Sequence, residues 1–207
     1  MNLIKNILYL IGSFIIFFLG IVFYGIFLAR TADSLKSSLF KRGIKEITKP
    51  VIVIDKSDYK LSLYSDSTLI KNYKIILGRV SSKRIDIRST PIGIYKVCNK
   101  IEKYKYHKLI KLNFPNSSCA TELFMEKKIS KLDYKRIINT ETSNDCLPDE
   151  LQFIENFGLQ GIGEYDLIFK NLPFVFNWTN GSVALSNNDI DELFSVCHIG
   201  TQVTIRE

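Results

Sequence analysis

Two short stretches near the C-terminal end decide how this chain reads: Asn156-Phe157-Gly158-Leu159-Gln160-Gly161 and, beyond Pro173, Trp178-Thr179-Asn180-Gly181-Ser182-Val183-Ala184-Leu185. Each sets a polar side chain beside a glycine, Gln160 before Gly161 and Ser182 after Gly181. A serine hydroxyl is a weak nucleophile unless an adjacent base takes its proton. A glutamine amide cannot be that base, since it neither titrates nor usefully accepts a proton. Gly181 and the main-chain N–H of Ser182 can still make a nest of donors for a carbonyl or carboxylate.

Upstream, the domain opens at Pro50 with Val51-Ile52-Val53-Ile54, an apolar β-branched run that reads as a buried strand. Lys60-Leu61-Ser62-Leu63-Tyr64 alternates like a half-buried strand, and Ser65-Asp66-Ser67 supplies a turn before the strand Asn72 to Leu77, ended by Gly78. Thr90-Pro91-Ile92-Gly93-Ile94-Tyr95 is a turn into the next strand, with Pro fixing φ and Gly opening the bend. Ser117 to Asp149 reads as two short helices, the second capped by Ser130 and Asp133 and carrying Tyr134, Ile137 and Ile138 as its apolar stripe. Ser186 to Asp189 caps a helix bearing Ile190, Leu193 and Phe194, and Gln202 to Ile205 is a closing strand.

The chain has 207 residues, 46% hydrophobic and 24% charged, with a net charge of +7. Its lysines are scattered, and the densest run, Lys100 to Lys111, alternates with apolar residues like the solvated face of a strand. No nucleic-acid motif is present, so no nucleic-acid partner is expected. From Ile7 to Ala29 no residue is charged, which is long enough for a membrane-spanning helix and longer than a typical signal-peptide core. The reading is a transmembrane anchor (or uncleaved signal) over 1–30, a polar linker over 31–49 with helix around Ser34 to Phe40, and one domain over 50–207. Arg30, Lys36, Lys41 and Arg42 after the span favour a cytoplasmic domain by the positive-inside rule, although long domains cross largely regardless of charge.

In their order and spacing these landmarks resemble the L,D-transpeptidase catalytic domain family (the YkuD domain), over roughly residues 50 to 207. The strand bearing Leu61 and Leu63, the strand ending in Leu77-Gly78, the Thr90 to Tyr95 turn and Asn113-Phe114-Pro115-Asn116 match in turn, and Trp178 to Leu185 matches one branch of the family everywhere but Ser182. In that family the nucleophile is a Cys and its base a His in a His-Gly pair. Ser182 stands in the Cys place and Gln160 in the His place.

The resemblance implies a mainly β fold: an L,D-transpeptidase-like sandwich of antiparallel sheets, with a short helical insert and one helix after the active-site turn. It also implies a single-pass protein of the cytoplasmic membrane whose domain lies outside the cytoplasm and meets peptidoglycan stem peptides or a cell-wall protein. Ser182 and Gln160 hold the degenerate catalytic positions, and Gly161, Trp178, Thr179, Asn180 and Gly181 are the expected substrate-binding residues. Loss of both chemical roles together implies a domain that binds without turnover. The alternatives are an active acyl-transferase or peptidase using Ser182, with His107 as a displaced base, and a protein-interaction scaffold. His198 and Cys197 lie past the last helix, too far along for either role. No cofactor is implied, and four cysteines without a C-x-x-C pair do not suggest a metal site. In an oxidising compartment Cys119 and Cys146, which flank the insert, are the pair placed to staple it; in a reducing one all four are small buried hydrophobes.

Overall fold

The β-branched run at Val51 forms the middle of β1 (Pro50–Asp55), where Ile52 and Ile54 are fully buried. The computed structural model describes residues 2–31, 33–79, 88–143, 145–166 and 177–207, so Pro173 lies outside the described residues. β1 pairs antiparallel with β2 (Lys60–Ser65), and β2 with β3 (Thr68–Lys74). Its other neighbour is β8 (Gln202–Arg206), which runs parallel to it. β8 pairs with the first part of β4 (Gly93–Tyr104), and the rest of β4 pairs with β5 (His107–Leu112). β6 (Gly158–Gly161) and β7 (Val183–Leu185) complete the order β3-β2-β1-β8-β4-β5-β6-β7.

The long strand β4 thus belongs to both halves of the sheet. Beyond β3, Ile76 and Ala184 of β7 exchange two main-chain hydrogen bonds of 2.8 Å, so the sheet's two ends meet. The sandwich expected from the sequence is present, but it is mixed. β1 with β8 and β6 with β7 are parallel pairs, because each second strand arrives through a long crossover instead of a hairpin. Leu61, Leu63, Ile70, Tyr95, Val97, Ile110, Phe157, Leu159 and Val203 fill a single core with Ile52 and Ile54.

Asn116 caps α3 (Ser117–Met125) by accepting from the N–H of Cys119 at 2.9 Å. Ser130 and Asp133 bond reciprocally to open α4 (Lys131–Ser143), whose Ile137 packs on Ala120, Leu147 and Leu151. The staple of this insert differs from the expected pair. Cys146 is bonded to Cys98 on β4, across 48 residues, while Cys119 is buried and takes no part in that bond. The reason is packing: Cys119 faces inward from α3, and the chain after α4 returns past β4.

Ser186 caps α5 (Asn187–Val196) by accepting from the N–H of Asp189, and the Lys100 ammonium closes the other end on the carbonyls of Phe194 and Cys197. At the N-terminus, α1 (Asn2–Thr31) contains one window, Leu3–Phe27, long and apolar enough to cross a membrane, and none of it is buried in the protein. The stretch 31–49 is more than a spacer. It carries α2 (Leu35–Lys41), capped by Ser34, and Leu35 and Ile47 join the domain core. The Leu35 N–H donates to Glu192 Oε1 on α5 at 2.8 Å, and the other carboxylate oxygen takes Lys71 Nζ at 2.6 Å.

Candidate active site

β6 and β7 bring the two degenerate positions together. Gln160 lies opposite Ala184, and Ser182 precedes Ala184 by two residues. Alternate residues of a strand share a face, so Gln160 and Ser182 stand on the same one. Both line a cavity of about 710 Å³, Gln160 at 4% and Ser182 at 5% exposure. The Ser182 hydroxyl donates to the main-chain oxygen of Asn156 at 3.2 Å, and the Thr179 hydroxyl donates to the Ser182 carbonyl. Among the described residues, no proton acceptor that titrates holds the Ser182 hydroxyl.

Of the expected binding residues, Trp178, Thr179 and Asn180 line the cavity, whereas Gly161 and Gly181 are not among its lining residues. Their absence of side chain is what the packing there requires. A Cβ on Gly161 would lie 2.4 Å from the Tyr106 carbonyl oxygen. Gly181 sits at φ +85°, and a Cβ there would lie 2.8 Å from Ile154 Cδ1.

Sequence reasoning did not find the rest of the lining: Arg79 and Arg88 beside Gly78, the hairpin tip Tyr104-Lys105-Tyr106, and Phe153 to Asn156. Tyr106 meets the Trp178 ring edge-on at 5.7 Å and the Tyr104 ring at 5.8 Å, giving one continuous aromatic wall. Burial pushes the Tyr104 hydroxyl above its ordinary pKa, with Tyr106 and Glu155 adding to the shift. The one signal in the sequence was the placement of Arg79 next to the strand-ending Gly78 and Arg88 two residues before Thr90.

His107, the candidate for a displaced base, is not among the residues that line the cavity. Tyr106, just before its strand, lines the cavity, but the His107 side chain turns to α5, where Nε2 lies 2.9 Å from Asp191 Oδ1. Burial pushes the Asp191 carboxyl up, but hydrogen bonds from Lys108 and His107 outweigh it and hold the group below the usual carboxylate range. His198 is exposed beyond α5, and Cys197 is buried, its thiol pushed up to about 12 by burial. Among the described residues no group of three His, Cys, Asp or Glu side chains is placed to hold a metal ion.

A family model described as the L,D-transpeptidase catalytic domain matches residues 49–205. Among solved structures, an L,D-transpeptidase from Mycobacterium smegmatis is similar at 10% identity, covering 77% of this chain and 59% of that one, with a TM-score of 0.46. A protein from Bdellovibrio bacteriovorus is similar at 17% identity over 78% of this chain and 48% of that one, with a TM-score of 0.48. An Enterococcus faecium L,D-transpeptidase follows at 13% identity, 77% and 50% coverage, and a TM-score of 0.46. This chain therefore spans about half to three-fifths of the length of those proteins. Among curated proteins, none matches the chain.

Proposed function

The chain belongs to the L,D-transpeptidase catalytic domain family, and we propose that it is a non-catalytic member that binds peptidoglycan stem peptides while anchored in the membrane. The observation that carries this reading is the hydrogen bond from Ser182 to the Asn156 carbonyl. A main-chain carbonyl accepts a hydrogen bond but cannot take the proton, so the hydroxyl is held unreactive while the cavity around it stays open. Gln160, in the base position, keeps its place on β6 without the chemistry.

Two features support a domain outside the cytoplasm. The helix Leu3–Phe27 can serve as the anchor, and the Cys98–Cys146 bond suits an oxidising compartment. The second feature weighs against the basic residues that follow the span. An active serine enzyme is the weaker reading, because the histidine it would need is bonded to Asp191 and lies off the cavity.

The test uses the detergent-solubilised full chain with a tetrapeptide-bearing muropeptide, following D-Ala release by mass spectrometry and binding by calorimetry. Binding without release is expected. Release by the native protein would sink the non-catalytic reading, and release only after Ser182→Cys with Gln160→His would show an intact cleft that lacks its reactive pair.

A further inference from the structure

We propose that the cavity selects its ligand by a free carboxylate, and that Arg79 and Arg88 are the pair that grips it. The inference rests on the cavity being the ligand site, as set out above. It begins at Gly78, where three segments cross. The N–H of Gly78 donates to Thr90 Oγ1 at 2.9 Å, and the N–H of Arg79 donates to the Arg88 carbonyl at 2.7 Å. A Cβ on Gly78 would lie 2.5 Å from that same Arg88 oxygen and 3.0 Å from the N of Gly181. The two arginine backbones are therefore tied to each other and pressed against the turn that carries Ser182.

Both arginine side chains line the cavity, with Lys105 as a third cation. Glu155 is the one carboxylate among the described residues that line it. Elsewhere the protein matches such charges internally, as Lys71 does with Glu192, Lys108 with Asp191 and Lys56 with Glu207. Arg79 makes no ion pair with any described residue. The other lining groups, Asn156, Gln160, Asn177 and Asn180, are neutral amides suited to a peptide main chain, so charge selection falls on one side of the site.

Guanidinium groups match a carboxylate through two parallel N–H donors, which an ammonium cannot do. Two of them lining one cavity offer an incoming carboxylate more N–H donors than either offers alone. The ligand class is thus a peptide presenting a free carboxylate, as distinct from a neutral or amidated one.

Trp178 is the only tryptophan in the chain and lines the cavity, so its fluorescence reports occupancy directly. The full chain in detergent is titrated with a synthetic stem tetrapeptide in its free-acid form and with the same peptide amidated at every carboxyl group. The acid form should bind about ten-fold tighter or better, the usual advantage of charge-assisted bidentate pairing. Arg79→Gln and Arg88→Gln should each remove about five-fold or more of that advantage while leaving the amidated peptide unaffected, and lysine at both positions should restore it only in part. Raising salt should weaken the acid form alone. Equal binding of the two peptides to the native protein, or glutamine variants that leave the acid-to-amide ratio intact, would overturn the carboxylate clamp and leave the cavity as a stem-peptide site. Failure of both peptides to bind, by fluorescence and by calorimetry, would remove the parent reading and the clamp together. The acid-to-amide comparison needs no variant, so it stands whether or not a substitution folds.

Discussion

The hydroxyl of Ser182 donates to the main-chain oxygen of Asn156, 26 residues earlier, at 3.2 Å. This contact joins the residue before β7 to the residue two before β6. It therefore ties together the two strands on which the family's chemistry stands, using a bond that no acyl transfer could employ. Ser182→Ala should cost about 1 kcal/mol in chemical unfolding, the usual worth of one such bond. It should leave stem-peptide affinity within about two-fold, because binding falls to other side chains. A serine-directed fluorophosphonate should fail to label the native protein; labelling lost in Ser182→Ala would contradict this account.

The Cys98–Cys146 bond closes a loop of 48 residues that contains β5 and the whole helical insert. Chain-entropy arguments give such a closure about 4 kcal/mol at most. Replacing both cysteines by alanine should lower the melting temperature clearly. Under non-reducing denaturing conditions, thiol titration should find two free groups in the native protein and four after reduction.

Cys197 gives a pH prediction with a definite sign. Its thiol is pushed from the ordinary value of 9.0 up to about 12 by burial, with the Lys100 charge opposing the shift. The folded state therefore holds a proton that the unfolded state releases sooner, so this contribution is complete below pH 9 and is lost as pH rises toward 12. Cys197→Ala should flatten the alkaline fall in stability across that window. The native thiol should also resist maleimide at pH 8, since it is neutral and buried.

A chain beginning at residue 49 should be less stable than one beginning at residue 33. The shorter form loses Leu35 and Ile47 from the core and leaves Glu192 without its Leu35 N–H donor. Two buried aliphatic side chains alone make the deficit about 3 kcal/mol or more, measurable by urea unfolding of the two forms.

Gly78→Ala should be among the costliest single methyl additions in the domain. The new Cβ would meet the Arg88 carbonyl at 2.5 Å, backbone against backbone with no flexible side chain to yield. Overpacking of this kind costs about 1–3 kcal/mol, and here it should also displace the turn at Gly181 and weaken ligand binding. A thermal melt together with Trp178 fluorescence separates the two effects.

Local signals in the sequence were enough for β1, β2 and the caps at Ser130 and Ser186, whereas the strand read over Asn72 to Leu77 runs instead over Thr68–Lys74 as β3. Each of the former rests on neighbours a few residues apart: alternation in Lys60–Ser65, or an N-cap hydroxyl three residues before the N–H that donates to it. The parallel pairs, the partner of Cys146 and the arginine rim depend on which distant segments meet. Thr90 Oγ1 accepting from Gly78, or Leu35 reaching Glu192, leaves no periodic trace in the chain. Composition marked residues 31–49 as a polar linker because, among the described residues there, only Leu35 and Ile47 are deeply buried apolar side chains, and two anchors are too few to set a pattern.

The paired main-chain bonds between Ile76 and Ala184 have a consequence for how any guest can be received. Open sheet edges invite an extended peptide to add itself as a further strand, and they invite other copies of the chain to do the same. At Ala184 that vacancy is already filled by the protein's own backbone, with β6 on the other flank. An incoming peptide therefore finds no ladder to join beside Ser182, and must be recognised by the side chains that line the cavity. The same closure leaves no open ladder at Ala184 for a neighbouring copy to join.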